Sequence, residues 1–273
     1  MKKVHWLIEE TNYQNDNNVA QRLMYLLQER GNPVTTFDYV FENTDWSFWS
    51  SFQREDPAVF FGTWNALSAM SEMHDLPQPL AWYAPEPFRC STYYQKYCDL
   101  ILQRSWQMCG VDEFERTAED AFQLFGVNDC IFVRPDDNNK IFNGDLLKKG
   151  NLQGWLRGLR HKKIPLDETL MVIARPISID VEWRFVVVGG KVAGGSQYKT
   201  NCCIDINANY DPRAAEFAEL VAATWSPFPV FVVDVGFVKD EYKIVEIGPF
   251  NYAGLYKIEL EPILEAIEEI VLY

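Results

Sequence analysis

The chain has 273 residues, of which 48% are hydrophobic, 15% are aromatic and 23% are charged. This length and apolar content suit one large domain or two coupled domains with a sizeable core. The net charge of −14 disfavours binding along a nucleic-acid backbone, because that affinity comes from many lysine and arginine contacts. No apolar run reaches about 18 residues and no cleavable apolar segment opens the chain, so we expect a cytoplasmic protein without a transmembrane helix.

Six cysteines and two stretches of basic residues are candidates for a metal site or a nucleic-acid site. No two cysteines form a C-x-x-C pair, and Cys202 and Cys203 are adjacent, so we expect reduced thiols and no zinc. The basic residues cluster in two stretches, 148–149 and 157–163. A solvated face is the expected role of these stretches, and a local patch that binds nucleic acid is the alternative.

The N-terminal third alternates between predicted strands and helices, which indicates a parallel sheet covered on both faces. No G-x-G-x-x-G sequence follows the first strand, so the fingerprint of a dinucleotide-binding fold is absent. The patterns predict strands over 4–8, 33–39, 58–61 and 80–83, and helices over 15–29 and 65–73.

A proline-rich stretch at 84–87 marks a junction, and the segment that follows it is aromatic and irregular. Pro135 stops a predicted strand directly after Arg134. The patterns in this segment predict helices over 93–104, 118–125 and 152–159, and strands over 130–134 and 140–142.

From Thr169 onward the chain is again rich in strands. Apolar runs predict strands over 170–174, 181–188 and 191–198, and Gly189-Gly190 between the last two is the strongest hairpin signal in the chain. A helix over 211–224 follows, with an aspartate as its N-cap and a proline in its first turn. An amphipathic helix over 260–272 closes the chain.

Two carboxylates interrupt the apolar strands before that last helix. Asp234 lies in the run 231–237, and Glu246 lies in the run 242–247. If residues 239–241 form a hairpin turn, the two side chains come close together across it. An acidic pair on an apolar hairpin is costly unless a cation neutralises it, and Mg²⁺ prefers carboxylate oxygens together with the phosphate oxygens of a substrate. Two solvated carboxylates at strand ends are the alternative.

Four features follow one another in an order that suits an ATP-binding ligase. Arg134 ends a strand, Glu182 and Arg184 lie in the first strand of the Gly-Gly hairpin, and Asp234 and Glu246 come last. In such an enzyme a cation holds phosphates, an acid accepts ribose hydroxyls, and two carboxylates hold Mg²⁺.

In these motifs the chain resembles the ATP-grasp superfamily, and it is most similar to phage and bacterial ATP-grasp proteins that carry arginine in place of the phosphate-binding lysine. The resemblance extends roughly over residues 80–260. It rests on Phe132-Val133-Arg134-Pro135-Asp136, on Glu182-Trp183-Arg184-Phe185, and on Val233-Asp234-Val235 with Val245-Glu246-Ile247-Gly248-Pro249-Phe250-Asn251.

The resemblance implies an α/β (α+β) protein with an ATP-grasp fold. We expect a Rossmann-like pre-ATP-grasp domain over 1–84, a linker and small lid subdomain over 85–168, and a mixed-sheet core with the metal site over 169–273.

The resemblance also implies roles in nucleotide binding. Arg134 would contact the ATP phosphates from the lid, and Arg184 would sit near the phosphates or the acyl phosphate as a second catalytic residue. Lys140 is a further nucleotide-binding candidate, with a solvated lysine as the alternative. Backbone groups of Val172 and Ala174 would bond to adenine. A surface cation is the alternative for Arg134, and a structural salt bridge is the alternative for Arg184.

The acidic residues receive the remaining roles. Asp180 or Glu182 would meet the ribose, while Asp234 and Glu246 would hold Mg²⁺. The usual Glu-x-Asn metal motif reads Glu246-Ile247-Gly248 here, so Asn251 or a water would supply the missing ligand. The Arg-x-Asp pattern of many ligases is also absent before Asp234, which would leave Arg184 to stabilise an oxyanion.

The implied function is an ATP- and Mg²⁺-dependent ligase that activates a carboxylate as an acyl phosphate for attack by an amine, with an amino acid or a peptide-like substrate. A degenerate module that binds nucleotide or protein is one alternative, which Gly248 favours. An ATP-grasp enzyme that modifies tRNA or another nucleic acid through the basic stretches is the other. Expected partners are a small carboxylate and an amine, without a membrane; a homodimer is left open.

Overall fold

In the part of the chain that the structure describes, three separate β-sheets form the framework. The computed structural model describes residues 2–10, 19–42, 44–51, 56–72, 80–138 and 141–273. Within these residues every helix is too short or too polar to cross a membrane.

The first sheet is parallel, as the alternation of strands and helices predicted. Its strands run in the order β2-β1-β3. The predicted fourth strand over 80–83 is wrong, because its backbone does not continue the ladder. Leu80 accepts one bond from Phe60, and the amide of Trp82 donates instead to the side chain of Asn251. The elements are β1 (His5–Glu9), α1 (Val19–Glu29), β2 (Val34–Phe37), β3 (Ala58–Phe61) and α2 (Trp64–Ser71).

The second sheet has four antiparallel strands in the order β4-β7-β5-β6, and two of its strands differ from the prediction. Strand β4 had no clear pattern in the sequence, and the return strand β6 begins at Asp145 rather than in 140–142. Strand β7 belongs to this sheet, while the domain boundaries predicted from the sequence stay predictions. The elements are α3 (Cys90–Tyr97), β4 (Trp106–Gly110), α4 (Val111–Phe125), β5 (Cys130–Pro135), β6 (Asp145–Lys148), α5 (Leu152–His161) and β7 (Leu170–Ala174).

The third sheet has five strands in the order β10-β9-β8-β11-β12, and all of them are antiparallel, whereas the sequence predicted a mixed sheet. The short edge strand β10 was not predicted. The elements are β8 (Val181–Val188), β9 (Lys191–Thr200), β10 (Cys203–Asn207), α6 (Pro212–Thr224), β11 (Val230–Val238), β12 (Glu241–Pro249) and α7 (Glu261–Leu272).

Strands β8 and β11 are apolar on both faces because both faces are covered. One face packs with Val186 and Val232 against the N-terminal sheet and α7. The other face packs with Phe185 and Val233 against α3 and α6. Charged side chains on these two strands therefore stand out against a buried apolar background.

Arg22 of α1 and Arg30, which follows that helix, tie the N-terminal part of the chain to α7 and to the segment that precedes it. Arg22 donates to the carbonyl oxygens of Tyr256 at 3.1 Å and Ile258 at 2.8 Å. Arg30 forms ion pairs with Glu265 at 3.2 Å and Glu268 at 2.9 Å. The N-terminal sheet thus fixes the path of the chain after β12.

Two tight turns set the register of the third sheet. Gly189 and Gly190 have φ values of +57° and +81°, which confirms the predicted hairpin between β8 and β9. Lys239 and Asp240 have φ values of +49° and +65° between β11 and β12. Two consecutive residues with positive φ are typical of a type I′ turn, whose twist matches that of the flanking strands.

We predict that Gly190→Ala lowers the free energy of unfolding by about 1–2 kcal/mol, because a Cβ disfavours this left-handed backbone conformation. Open space surrounds the position, so backbone strain is the cause and a clash is not. Urea denaturation measures the effect. The control is Gly150→Ala, which also meets open space but lacks a positive φ and should change stability by less than about 0.5 kcal/mol. Equal effects of the two substitutions would contradict the assignment.

Candidate functional site

A cavity of about 510 Å³ lies between the second and third sheets. Its walls come from β5 and the segment after it on one side, and from β8, β9, β11 and β12 on the other. The structure brings five of the predicted site residues together in this cavity: Arg134, Glu182, Arg184, Asp234 and Glu246.

Strand register explains why three of these residues are neighbours. Asp234 on β11 lies opposite Arg184 on β8 and opposite Glu246 on β12. A register shift follows directly after the Asp234–Glu246 pair, so the strand is irregular at this point. Such bulges often occur beside functional sites, where they redirect side chains.

Arg184 and Asp234 form a two-point ion pair. The Arg184 Nε and Nη2 atoms donate to the two oxygens of Asp234, each at 2.7 Å, and Nη1 donates to the Gly254 carbonyl oxygen at 3.1 Å. Burial acts to lower the pKa of Arg184, but the Asp234 carboxylate outweighs it, and the pKa lies well above its usual value. Paired donors of this kind match a carboxylate or a phosphate equally well.

Arg134 forms the second pair, which joins the two sheets. Its Nη2 atom contacts Glu246 Oε1 at 2.8 Å, and its Nη1 atom donates to the Tyr93 hydroxyl at 3.2 Å. The Nε atom is buried and has no hydrogen-bond partner among the residues that the structure describes. An unpaired buried donor costs roughly 1–3 kcal/mol, so this guanidinium has capacity for a further anionic oxygen.

Tyr198 connects two of the carboxylates. Its hydroxyl donates to Glu182 Oε2 at 2.5 Å and lies 3.3 Å from Asp234 Oδ2. Burial raises the pKa of this hydroxyl well above its usual value, and the Asp234 and Glu182 carboxylates raise it further. The hydroxyl therefore keeps its proton and acts as a donor. Lys199 forms the third ion pair of the cavity, at 3.4 Å from Glu182.

Two stacked tyrosines lie beside the Arg184 guanidinium. The rings of Tyr198 and Tyr256 are stacked with centroids 5.0 Å apart, and the guanidinium carbon lies 5.8 Å and 5.2 Å from them. Cations at such distances from aromatic faces are stabilised. Sequence patterns gave no role to Tyr198, Lys199 or Tyr256, because nothing local marks a tyrosine as a partner of a distant arginine.

Val172 and Ala174, which we expected to bond to adenine through their backbone groups, lie outside the cavity wall, and these contacts stay a prediction. Both side chains are fully buried outside the cavity, and β7 is bonded to β4 and β5 along both of its edges. The backbone of β7 is therefore already committed. The next segment reaches the cavity instead, where Ile177 and Ile179 line the wall.

The structure separates the two predicted ribose candidates. Glu182 is buried and lines the cavity, whereas Asp180 is exposed and lies outside the cavity wall. Its backbone bonds to Phe237 and Asn201. Lys140 lies outside the described residues.

Asn251 holds the N-terminal sheet, which corrects its expected role as a metal ligand. Its side chain is fully buried. The Oδ1 atom accepts from the Trp82 amide at 2.8 Å, and the Nδ2 atom donates to the Phe60 carbonyl oxygen at 2.6 Å. Both ends of the amide are therefore committed to backbone groups at least 169 residues away in the chain.

The carboxylates suit a cation that arrives with a nucleotide. Within the described residues, His, Cys, Asp and Glu side chains do not gather in threes at a candidate metal site. Mg²⁺ does not need such a cage, since one or two carboxylates and the phosphates of a substrate satisfy it. The oxygens of Asp234 and Glu246 at a common cavity wall fit this donor set.

Sequence comparison identifies the class of protein. Residues 115–266, more than half of the chain, match the family described as ATP-grasp domain, R2K clade family 2. The protein belongs to this family. A comparison with curated protein sequences gave no match.

Solved structures of ATP-grasp ligases share the whole fold. D-cycloserine synthetase DcsG superposes with a TM-score of 0.66 at 14% identity, over 98% of this chain and 99% of that one. D-alanine–D-alanine ligase from Bacillus anthracis gives 0.65 at 10% identity, over 100% and 99%. The ligase PsnB, complexed with a minimal precursor, Mg and ADP, gives 0.57 at 11% identity, over 98% of each chain. The predicted α/β ATP-grasp fold is thereby confirmed.

We predict that Asn251→Ala lowers the free energy of unfolding by about 2–4 kcal/mol, because it leaves the Trp82 amide and the Phe60 carbonyl without partners. Metal-dependent nucleotide binding should be preserved in the protein that remains folded. Thermal denaturation and calorimetric titration measure the two effects. The exposed Asn209→Ala is the control and should change stability by less than about 0.5 kcal/mol. A stable Asn251→Ala variant that had lost metal binding would restore the ligand role.

Proposed function

We propose that the protein is an ATP- and Mg²⁺-dependent ligase that activates a carboxylate as an acyl phosphate for attack by an amine. One observation carries the proposal: the two candidate metal carboxylates, Asp234 and Glu246, are each paired with an arginine at the wall of one cavity.

A magnesium nucleotide is the ligand whose charges match this array. Its phosphates supply anionic oxygens for Arg134 and Arg184, and its cation supplies a partner for the two carboxylates. Opening a buried ion pair for a ligand of one charge would leave the other member uncompensated, which is strongly unfavourable. A ligand that carries both charges avoids this cost.

The residues of the chain then have distinct tasks. Arg134 binds phosphate from the β5 side, where its Nε atom is still unpaired. Arg184, which lies beside the stacked rings of Tyr198 and Tyr256, faces the charge that spreads over the transferred phosphoryl group. Bound Mg²⁺ supplies charge neutralisation at the phosphate oxygens. Glu182 accepts from ribose hydroxyls, and apolar side chains that line the same cavity, Phe132, Ile177 and Ile179, suit the adenine ring.

The amine and the carboxylate are proposed from the neighbours of similar fold. These include a D-alanine–D-alanine ligase and the ligase PsnB bound to a minimal precursor, and the first of them favours an amino acid or a peptide-like substrate. Two residues of the basic stretches pair with carboxylates, Lys149 with Glu119 and Arg160 with Glu115, and the net charge of −14 disfavours a nucleic-acid substrate. The partners that we propose are therefore small molecules.

We predict that ATP with Mg²⁺ raises the melting temperature of the protein by roughly 5–10 °C at a hundredfold excess over Kd, which corresponds to about 2.7 kcal/mol. Asp234→Asn and Glu246→Gln should abolish this shift, because each removes a carboxylate from the proposed cation site. Differential scanning fluorimetry with and without nucleotide separates the lost shift from any lower starting temperature.

The control for these variants is Asp240→Asn in the turn of the same hairpin, which should keep the full shift. The absence of a shift in the wild-type protein with any nucleotide would refute the proposal. Release of ADP across a panel of amino acids and dipeptides then tests turnover, and binding without turnover for every substrate would favour the degenerate nucleotide-binding module.

Glu182→Gln should weaken ATP binding about tenfold, since loss of a charged acceptor for a hydroxyl costs about 1.4 kcal/mol or more. It should also erase the preference for ATP over 2′,3′-dideoxy-ATP, measured by calorimetric titration with Mg²⁺. Asp180→Asn is the matched control and should keep both the affinity and the preference. The reverse result would assign the ribose to Asp180.

A further inference from the structure

The side chain of Asn138 fills the space beside Gly248. A Cβ atom at Gly248 would lie 3.2 Å from Asn138 Nδ2 and 3.4 Å from Val232 Cγ2. The same Nδ2 atom donates to the carbonyl oxygen of Ile247 at 2.9 Å. An amide from the segment after β5 therefore stands where a side chain at position 248 of β12 would otherwise project.

The amide is held in one orientation. Asn138 is only 7% exposed. Because its nitrogen is bonded to Ile247, the carbonyl oxygen at the other corner of the planar amide is directed away from that bond. The segment is braced two residues earlier, where the Asp136 carboxylate accepts from the Ser91 amide at 2.7 Å and the Ser91 hydroxyl at 2.9 Å.

A small chamber joins this amide to the two carboxylates. Its volume is about 30 Å³, and Asn138, Asp234, Glu246 and Gly248 all line it. Roughly 10–15 Å³ suffices for one water-sized species. Carboxylate and amide oxygens are the donors that a hard divalent cation prefers. The same three oxygen-bearing side chains also line the large cavity, so the chamber is contiguous in its residues with the proposed nucleotide site.

We propose that Asn138 supplies the amide ligand of the nucleotide-bound divalent cation, in place of a side chain at position 248 of β12. This inference rests on the proposed function. It makes the cation site a joint product of two sheets, because Asn138 follows β5 whereas Asp234 and Glu246 belong to the third sheet. The same side chain already bonds the segment after β5 to the hairpin, and a bound cation would strengthen this contact.

The test measures the affinity for Mn²⁺ in the presence of adenylyl imidodiphosphate, by electron paramagnetic resonance of free Mn²⁺. Asn138→Ala should weaken Mn²⁺ binding about tenfold and leave the binding of metal-free nucleotide unchanged. Asn143→Ala removes an exposed amide from the same segment and cavity wall, and it should have no effect.

Asn138→Asp separates a ligand role from a structural one. It keeps an oxygen for the cation but cannot donate to Ile247, so a ligand role predicts that Mn²⁺ affinity is retained even if thermal stability falls. A structural role predicts that Asp and Ala weaken Mn²⁺ binding equally, and that result would overturn the inference.

A swap provides an independent test. Gly248→Asn alone crowds Asn138 and should weaken Mn²⁺ binding, whereas Asn138→Gly combined with Gly248→Asn returns an amide from β12 and should restore affinity to within about threefold of the wild type. Failure of the pair to improve on Asn138→Gly would count against the inference. If the wild type binds Mn²⁺ with nucleotide but Asn138→Ala binds it equally well, only this inference fails. If the wild type binds neither, the proposed function fails with it.

Discussion

Two arginine–carboxylate pairs at the cavity wall set the physical constraint on which the rest of the site depends. Removing one member of a buried pair costs about 3–5 kcal/mol, because the other charge remains buried without compensation. This applies most fully to Arg184 and Asp234, since the side chain of Glu246 is 28% exposed. The pairs differ in kind: Arg184 and Asp234 are joined at two points within one sheet, while Arg134 reaches Glu246 by one contact across the gap between sheets. The first pair is part of the core of the third sheet. The second pair couples the position of the second sheet, which contains β5, to the charges in the cavity.

The surroundings of the pairs keep this arrangement fixed. Arg184 is held from three directions, by Asp234, by the Gly254 carbonyl and by the stacked rings of Tyr198 and Tyr256. Tyr256 lies on the segment whose carbonyl groups bind Arg22 of α1, the helix that packs on the N-terminal sheet. Because donors of this type are already oriented, little free energy is needed to reorganise them when charge moves in the site. The N-terminal sheet thus contributes to the electrostatics of a cavity whose wall it does not form.

The features that the sequence predicted correctly are those that depend on residues close together in the chain. The sequence predicted the Gly189-Gly190 turn and the strands β8 and β11, because turn preferences and the spacing of apolar residues act over a few residues. The meeting of Asp234 with Glu246 followed from the hairpin. The sequence did not predict the role of Asn251, because its side chain bonds to Phe60, which lies 191 residues earlier in the chain. The sequence also does not show that neighbouring strands occupy both edges of β7.

The amide bridge made by Asn251 has a practical bearing on the boundaries of the folding unit. The segment that matches the family begins at residue 115, yet β7 within it pairs with β4 at 106–110, and the end of β12 leads into a side chain bonded to backbone at Phe60 and Trp82. A recombinant fragment that begins at the family boundary would expose the edge of β7 that pairs with β4. It would also leave the buried side-chain amide of Asn251 without its backbone partners. The boundary of the family match and the boundary of the folding unit therefore lie at different places in the chain. A fragment for crystallisation or labelling requires the residues before 115 to be retained.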